Sequence, residues 1–323
     1  MNRNRAVSSV HSRGTTHRTT TRDAHTMAWS VHGDPCGEPV VVLHGGPGSG
    51  SQPGALRLFD LSRMRVVLVD QRGAGASKPR GSVRHNDTRR LVGDLEAIRA
   101  QLGIARWGVV GGSWGAALAL AYAGTHPACV SAVVLRGLFL TTQREVRQLF
   151  VTSRSRAPHA WRGLMQAAKC ASASALPAAC MRSMQRRSHT RADAVAAAWR
   201  AYENAVLMHA SSRRAKTRNE RRAPARDFTT TEKYRIQAHY LAHGCWLGER
   251  RLLALAKRAV ASGVAVYAVH GSRDPVCPPD NLRRLMRAVP GVRGRLVEAG
   301  HLASDARLAD ALVTALDQAF LRN

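Results

Sequence analysis

Lysine is scarce in this chain. Only Lys78, Lys169, Lys216, Lys233 and Lys257 stand among 49 basic residues, and with 21 acids the formal net charge is +28. Such a charge draws polyanions, but the arginines run along the whole chain without forming a stripe. That spread reads as a compositional bias, so no specific nucleic-acid partner is expected. Aromatic residues make up 5% of the chain, too few for a base-stacking surface. The six cysteines form no CxxC pair, which excludes zinc-ribbon and thioredoxin-like sites. There is no apolar run of the length that spans a bilayer. Residues 1–26 carry Arg, Ser and Thr but no apolar centre, and Asp23 is their only acid. This is not the pattern of a secretory signal. It reads as a disordered basic tail, with the rest of the chain cytoplasmic and its thiols reduced. Met27 stands as an alternative start, although it falls within an expected early strand, His25 to His32.

What is present is an alternation of strands and helices. Pro39–Gly45, Arg65–Gly73, Trp107–Gly112 and Val130–Gly137 are continuous apolar runs rich in Val and Leu. Such runs fit strands buried on both faces of a parallel sheet. Asp87–Leu102 has Leu91, Leu95, Ile98 and Leu102 at helical spacing, a capping Asn86 or Asp87 before it and Gly103 after it. Ala116–Thr125 is a helix of small residues. The alternation breaks after Leu140, where a polar, Arg- and Ala-rich helical stretch begins. Strands resume at Val264–Gly271 and Gly294–Glu298, and a last helix covers about Ser304–Phe320. The pattern predicts an α/β fold: a mostly parallel, doubly wound sheet over 27–140 and 257–323, with a helical cap inserted at 141–256. Within the cap, Ser211–Arg226 reads as a mobile loop.

The chemistry sits at the ends of the strands. Gly111-Gly112-Ser113-Trp114-Gly115 matches G-x-S-x-G, after an apolar strand and before a small-residue helix. In that setting a sharp turn exposes the serine hydroxyl, and the flanking glycines avoid clashes. Ser113 is the expected nucleophile. Upstream, His44-Gly45-Gly46-Pro47-Gly48 follows another strand. No GK[ST] follows it, so it is not a phosphate-binding P-loop. In the α/β-hydrolase fold a loop at this place supplies one oxyanion-hole N–H and the residue after the nucleophile supplies the other. These are assigned to Gly46 and Trp114. Downstream, Asp274 and His301 each follow a strand, in the chain order Ser, Asp, His that this fold uses. His301 would take the serine proton and Asp274 would hold the imidazole in the right tautomer. Asp280 and Asp305 are weaker choices for the acid, being placed in helical or loop positions. His270 ends a strand before the Asp.

HGGPG at 44–48, DQRGAGAS at 70–77, GGSWGAALALAYAGTHP at 111–127, LRGLFL at 135–140 and HGSRDPVCP at 270–278 together resemble the prolyl aminopeptidases (proline iminopeptidases). The resemblance covers about 37–139 and 264 to the C-terminus and is patchy between. It implies an α/β-hydrolase that releases N-terminal proline from a peptide, with no metal and no cofactor. It also implies that acidic residues of the cap read the free amine. Trp199-Arg200-Ala201-Tyr202-Glu203 is similar to the family's Trp-x-x-Trp-Glu, which makes Glu203 a candidate amine anchor. Arg235-Ile236-Gln237-Ala238-His239-Tyr240 is similar to its Arg-Ile-Glu-x-His-Tyr. Phe139 matches an apolar pocket for the proline ring.

Gln237 departs from the family's glutamate. Its carbonyl still accepts a hydrogen bond but carries no charge. Hydrogen bonds to charged groups contribute roughly 1.5–3 kcal/mol against about 0.5–1.5 kcal/mol for neutral ones. Amine recognition is therefore expected to be weakened or redirected. The early cap also lacks the family's aromatic residues. A second reading keeps the triad and changes the substrate to a small ester or amide. A third makes the chain a basic polyanion-binding protein, with salt-dependent binding that survives Ser113→Ala. Dehalogenases and epoxide hydrolases carry Asp where this chain has Ser113.

Overall fold

The computed structural model describes residues 16–185, 189–209 and 228–321. Eight strands form one sheet in the order β1-β2-β4-β3-β5-β6-β7-β8. They are β1 Thr16–Thr20, β2 Thr26–Gly33, β3 Glu38–Leu43, β4 Met64–Asp70, β5 Trp107–Gly112, β6 Val130–Arg136, β7 Ala265–Gly271 and β8 Arg293–Val297. From β4 to β8 every neighbouring pair is parallel, while β2 runs antiparallel to both β1 and β4. Seven of the eight lie where the sequence predicts strands.

β1 differs from the sequence reading, which placed residues 1–26 in a disordered tail. THRTT is polar, yet it pairs along β2 as an edge strand. An edge strand needs no apolar signature, because one side of its ladder faces solvent. Residues 1–15 of that tail lie outside the described residues, as does the Ser211–Arg226 loop.

Helices cover both faces of the sheet. α1 (Thr88–Gln101) starts at Asp87, whose carboxylate accepts the Arg90 N–H, and so satisfies one of the first-turn donors. α2 (Trp114–Thr125) buries all of its residues except Thr125. Its alanines and glycines allow close approach: a Cβ on Gly124 would stand 2.4 Å from the Leu255 carbonyl oxygen. The last helix, Ala306–Phe320, packs Leu308, Leu312 and Leu316 on the opposite face.

Between β6 and β7 the chain is helical. α3 (Gln143–Phe150) opens with a capping box of Thr142 and Glu145. α4 (Pro158–Ala167), α5 (Leu176–Gln185), α6 (His189–His209) and α7 (Phe228–Ala242) follow. These five helices build their own core around Phe150, Leu164, Trp199, Tyr202 and Tyr234. α8 (Gly248–Ala261) behaves differently. Its Leu252, Ala256 and Ala259 join the sheet core beside α2. Residues 248–256, assigned to the cap from sequence, thus lie with the sheet layers. The final two helices are α9 (Asp280–Ala288) and α10, the Ala306–Phe320 helix.

Candidate active site

Ser113 stands between β5 and α2 with φ 58° and ψ −120°. A non-glycine residue in this region stores about 1–3 kcal/mol of strain, and surrounding packing must hold it there. The clamp is visible in its neighbours. A Cβ on Gly111 would lie 2.1 Å from the Gly115 carbonyl oxygen, and one on Gly115 would lie 2.1 Å from that of Leu43. Both positions therefore require glycine, and the turn they permit is the one that turns the serine outward. The Ser113 N–H donates to the Arg136 carbonyl at 2.8 Å.

His301 and Asp274 meet behind this turn. His301 Nδ1 lies 2.6 Å from Asp274 Oδ2, and both residues are buried. Asp274 Oδ1 accepts the Val276 and Cys277 amides, each at 2.9 Å. Burial opposes the charge on Asp274, but the His301 ring beside it and these amides outweigh burial and hold its pKa below the usual carboxylate range. The carboxylate fixes the proton on Nδ1, which leaves Nε2 as the basic nitrogen. The Arg136 guanidinium donates to the His301 carbonyl at 2.5 Å. Gly137 packs flat on the pair: a Cβ there would stand 3.1 Å from the imidazole.

Of the alternative residues, His270 lies beside this pair, its Nε2 3.6 Å from Asp274 Oδ2, while the two carboxylates lie apart. His270 is 1% exposed, with Nε2 2.8 Å from the Cys277 carbonyl, and burial lowers its pKa. It is held neutral inside the core. Asp280 opens α9, and Asp305 caps α10 by accepting the Arg307 N–H.

Among the described residues the Gly46 and Trp114 amides have no hydrogen-bond acceptor. Trp114 is the first residue of α2, so no carbonyl lies one turn before it. The loop and the helix are tied together by Gln71, which sequence reading did not single out as a site residue. Its Nε2 donates to the His44 carbonyl and its Oε1 accepts the Trp114 indole N–H, both at 2.8 Å. Cys277 was also missed. Its Sγ lies 3.9 Å from Ser113 Oγ, and burial pushes the thiol pKa far up, so it remains a thiol.

Ser113, His301 and Gly46 open onto one cavity of about 940 Å³, as do Phe139, Glu203 and Gln237 from the cap side. Asp274 and Trp114 are buried and do not line it. Six of the eight residues expected from sequence thus line a single space, although they are spread over the length of the chain. Glu203 lies on α6 and Gln237 on α7, joined by a 2.7 Å hydrogen bond from Gln237 Nε2 to Glu203 Oε1. Lys233, one turn before Gln237, also lines the cavity and was not anticipated.

Comparison with known proteins agrees with this geometry. Residues 38–307 match the family described as alpha/beta hydrolase fold. The proline iminopeptidase of Xylella fastidiosa is 37% identical over 298 residues, covering 91% of this chain and 93% of that protein. That of Neisseria gonorrhoeae is 34% identical over 299 residues, with 91% and 93% covered. Solved structures give the fold alone. A carboxylesterase of Nitrososphaera gargenis superposes with a TM-score of 0.53 at 16% identity, covering 94% of this chain and 98% of that one. An esterase of Rhodococcus gives 0.55 at 18%, with 94% and 98% covered. The chain belongs to the proline iminopeptidase family of α/β hydrolases.

Proposed function

We propose that the protein is a serine peptidase that releases N-terminal proline from peptides through an acyl-enzyme. The observation that carries this reading is that His301, held by Asp274, shares one cavity with a strained Ser113, in a chain of this family. Ser113 Oγ attacks the carbonyl carbon of the N-terminal residue, and His301 Nε2 accepts its proton. The oxyanion forms against the Gly46 and Trp114 amides, each donor contributing roughly 3 kcal/mol to lowering the barrier. His301 then gives its proton to the leaving amine. Water, activated by the same base, hydrolyses the ester and restores Ser113. Phe139 supplies an apolar wall for the ring, while Glu203 and Gln237 face the nitrogen. A nitrogen held at Glu203 would limit cleavage to one residue from the end. Substrates are accordingly small peptides, and the compartment is the cytoplasm. Among the described residues no helix is long and apolar enough to cross a membrane.

The test is hydrolysis of L-prolyl p-nitroanilide beside p-nitrophenyl acetate by wild type and Ser113→Ala. Cleavage of the prolyl amide that is lost in the variant supports the reading. Turnover of the ester alone, still through Ser113, moves the substrate to small esters and amides. The crowding of donors around Glu203 is what keeps that second reading open.

A further inference from the structure

Glu203 is the carboxylate on which recognition of a free amine would rest, and three hydrogen bonds and a neighbouring cation already occupy it. Oε1 accepts the Trp199 indole N–H at 3.0 Å and the Gln237 amide at 2.7 Å. Oε2 accepts the Tyr234 hydroxyl at 2.7 Å and lies 3.5 Å from the Lys233 ammonium. A carboxylate offers about four acceptor positions; of the four groups around this one, three donate hydrogen bonds and Lys233 stands beside it as an ion pair. Trp199 and Tyr234 are wholly buried and cannot turn away. Lys233 is the one cation of the four, its side chain 29% exposed and its ammonium 4.6 Å from the Tyr234 ring centroid. An arriving ammonium therefore meets a carboxylate whose charge is already balanced.

Gln237 completes the arrangement. Its amide is oriented by Glu203, because turning it over would set two acceptors against each other. Its Oε1 is left buried and without a hydrogen-bond partner among the described residues. Buried polar atoms are almost always paired, and Gln237 lines the cavity that holds Ser113 and His301. The unmet atom is a neutral acceptor, which suits one N–H.

We infer that Lys233 is a specificity-determining residue: it holds at Glu203 the place of a substrate ammonium, so that the subsite reads an uncharged N–H through Gln237. The class of acyl group this favours is a five-membered lactam, which keeps the size of the proline ring. Its N–H would donate to Gln237 Oε1 and its ring carbonyl would accept from Lys233 Nζ. The inference rests on the hydrolase reading above, with this side of the cavity taking the acyl group.

The experiment compares L-prolyl and L-pyroglutamyl p-nitroanilide in wild type, Lys233→Met and Lys233→Arg. In wild type the two kcat/KM values should lie within about tenfold. Lys233→Met unmasks the carboxylate, and the ratio should move toward the prolyl amide by roughly tenfold or more, the worth of one charged hydrogen bond. Lys233→Arg keeps a cation and should leave the ratio near wild type, which separates charge from packing. An unchanged ratio in Lys233→Met overturns the inference, as does a wild-type preference for the prolyl amide above about tenfold. If only p-nitrophenyl acetate is hydrolysed, the proline-release reading fails on its own. Calorimetric binding of L-prolinamide and L-pyroglutamide to Ser113→Ala, with and without Lys233→Met, then decides the point. The same tenfold shift in the affinity ratio supports it, and a ratio unchanged by Lys233→Met overturns it.

Discussion

Gln71 and His44 hold each other through two hydrogen bonds: the Gln71 backbone N–H donates to His44 Nε2 at 3.0 Å, and the Gln71 side chain donates to the His44 carbonyl at 2.8 Å. The imidazole is therefore neutral, with its proton on Nδ1 facing the Gly45 carbonyl at 2.9 Å. Burial, which lowers the His44 pKa, agrees. Because Gln71 also accepts the Trp114 indole N–H, it fixes the distance between the glycine loop and the start of α2. Gln71→Leu leaves a buried indole N–H and a buried carbonyl unpaired. We expect a loss of roughly 2 kcal/mol in urea unfolding. Turnover of ester and amide substrates should fall together, by about tenfold or more, since both need the same oxyanion donors.

Asp274→Asn tests the orientation of the base. An amide in place of the carboxylate favours the wrong tautomer of His301, and a fall in kcat of roughly 10³–10⁴ is expected. The same variant reports on stability. The Asp274 pKa is held below its ordinary value, so its contribution is present above the unfolded value of about 4 and is lost as pH falls through the folded one. Thermal unfolding from pH 7 to pH 3 should show wild type more stable than Asp274→Asn at neutral pH, with the gap closing below about pH 4. A gap independent of pH would mean that the carboxylate charge carries none of it.

The parts of the site that could be read from sequence are local. Ser113, Asp274 and His301 each follow a strand within a few residues, and the turn chemistry of GGSWG is a property of five consecutive positions. β1 was not legible, because a polar edge strand has the composition of a tail. Nor was the state of Glu203. Its donors come from Trp199 one turn back and from Lys233, Tyr234 and Gln237 across the α6–α7 contact. Helical spacing puts Lys233 and Gln237 on one face, which was the available signal, but which residue of α6 they meet depends on packing. The extent of the cap was misjudged for a similar reason. α8 is amphipathic like the helices before it, and only its partner, α2, places it with the sheet.

Ser113→Gly should separate function from stability. The φ of 58° costs a serine energy that glycine does not pay. Part of the gain is offset by the greater freedom of glycine in the unfolded chain. We expect the variant to be inactive and about 1 kcal/mol more stable, seen as a higher midpoint in urea. A variant no more stable than wild type would show that the turn is not strained in the folded protein.

A variant beginning at Met27 tests whether the amino-terminal strand belongs to the fold. It would lose β1, the bond from the Trp29 indole to Thr19 Oγ1 at 2.9 Å, and the stacking of His17 on Trp29 at 4.5 Å. It would also lose Asp23, which accepts from the buried Arg72 guanidinium at 2.6 Å. That contact and the Asp94 pair raise the pKa of Arg72 against the effect of burial, so the cation is held by two carboxylates. Removing one leaves the Asp94 bond at 2.6 Å, so the charge is weakened in its pairing rather than stranded. The lost charged hydrogen bond and the exposed β2 edge together should cost roughly 2–4 kcal/mol, with self-association added through the unpaired edge. The cavity is formed from the other strands and the cap, so Ser113-dependent hydrolysis should persist at temperatures where the shortened protein stays folded. Equal unfolding midpoints for the two forms would mean that β1 contributes nothing to stability and that residues 16–26 act as the tail their composition suggests.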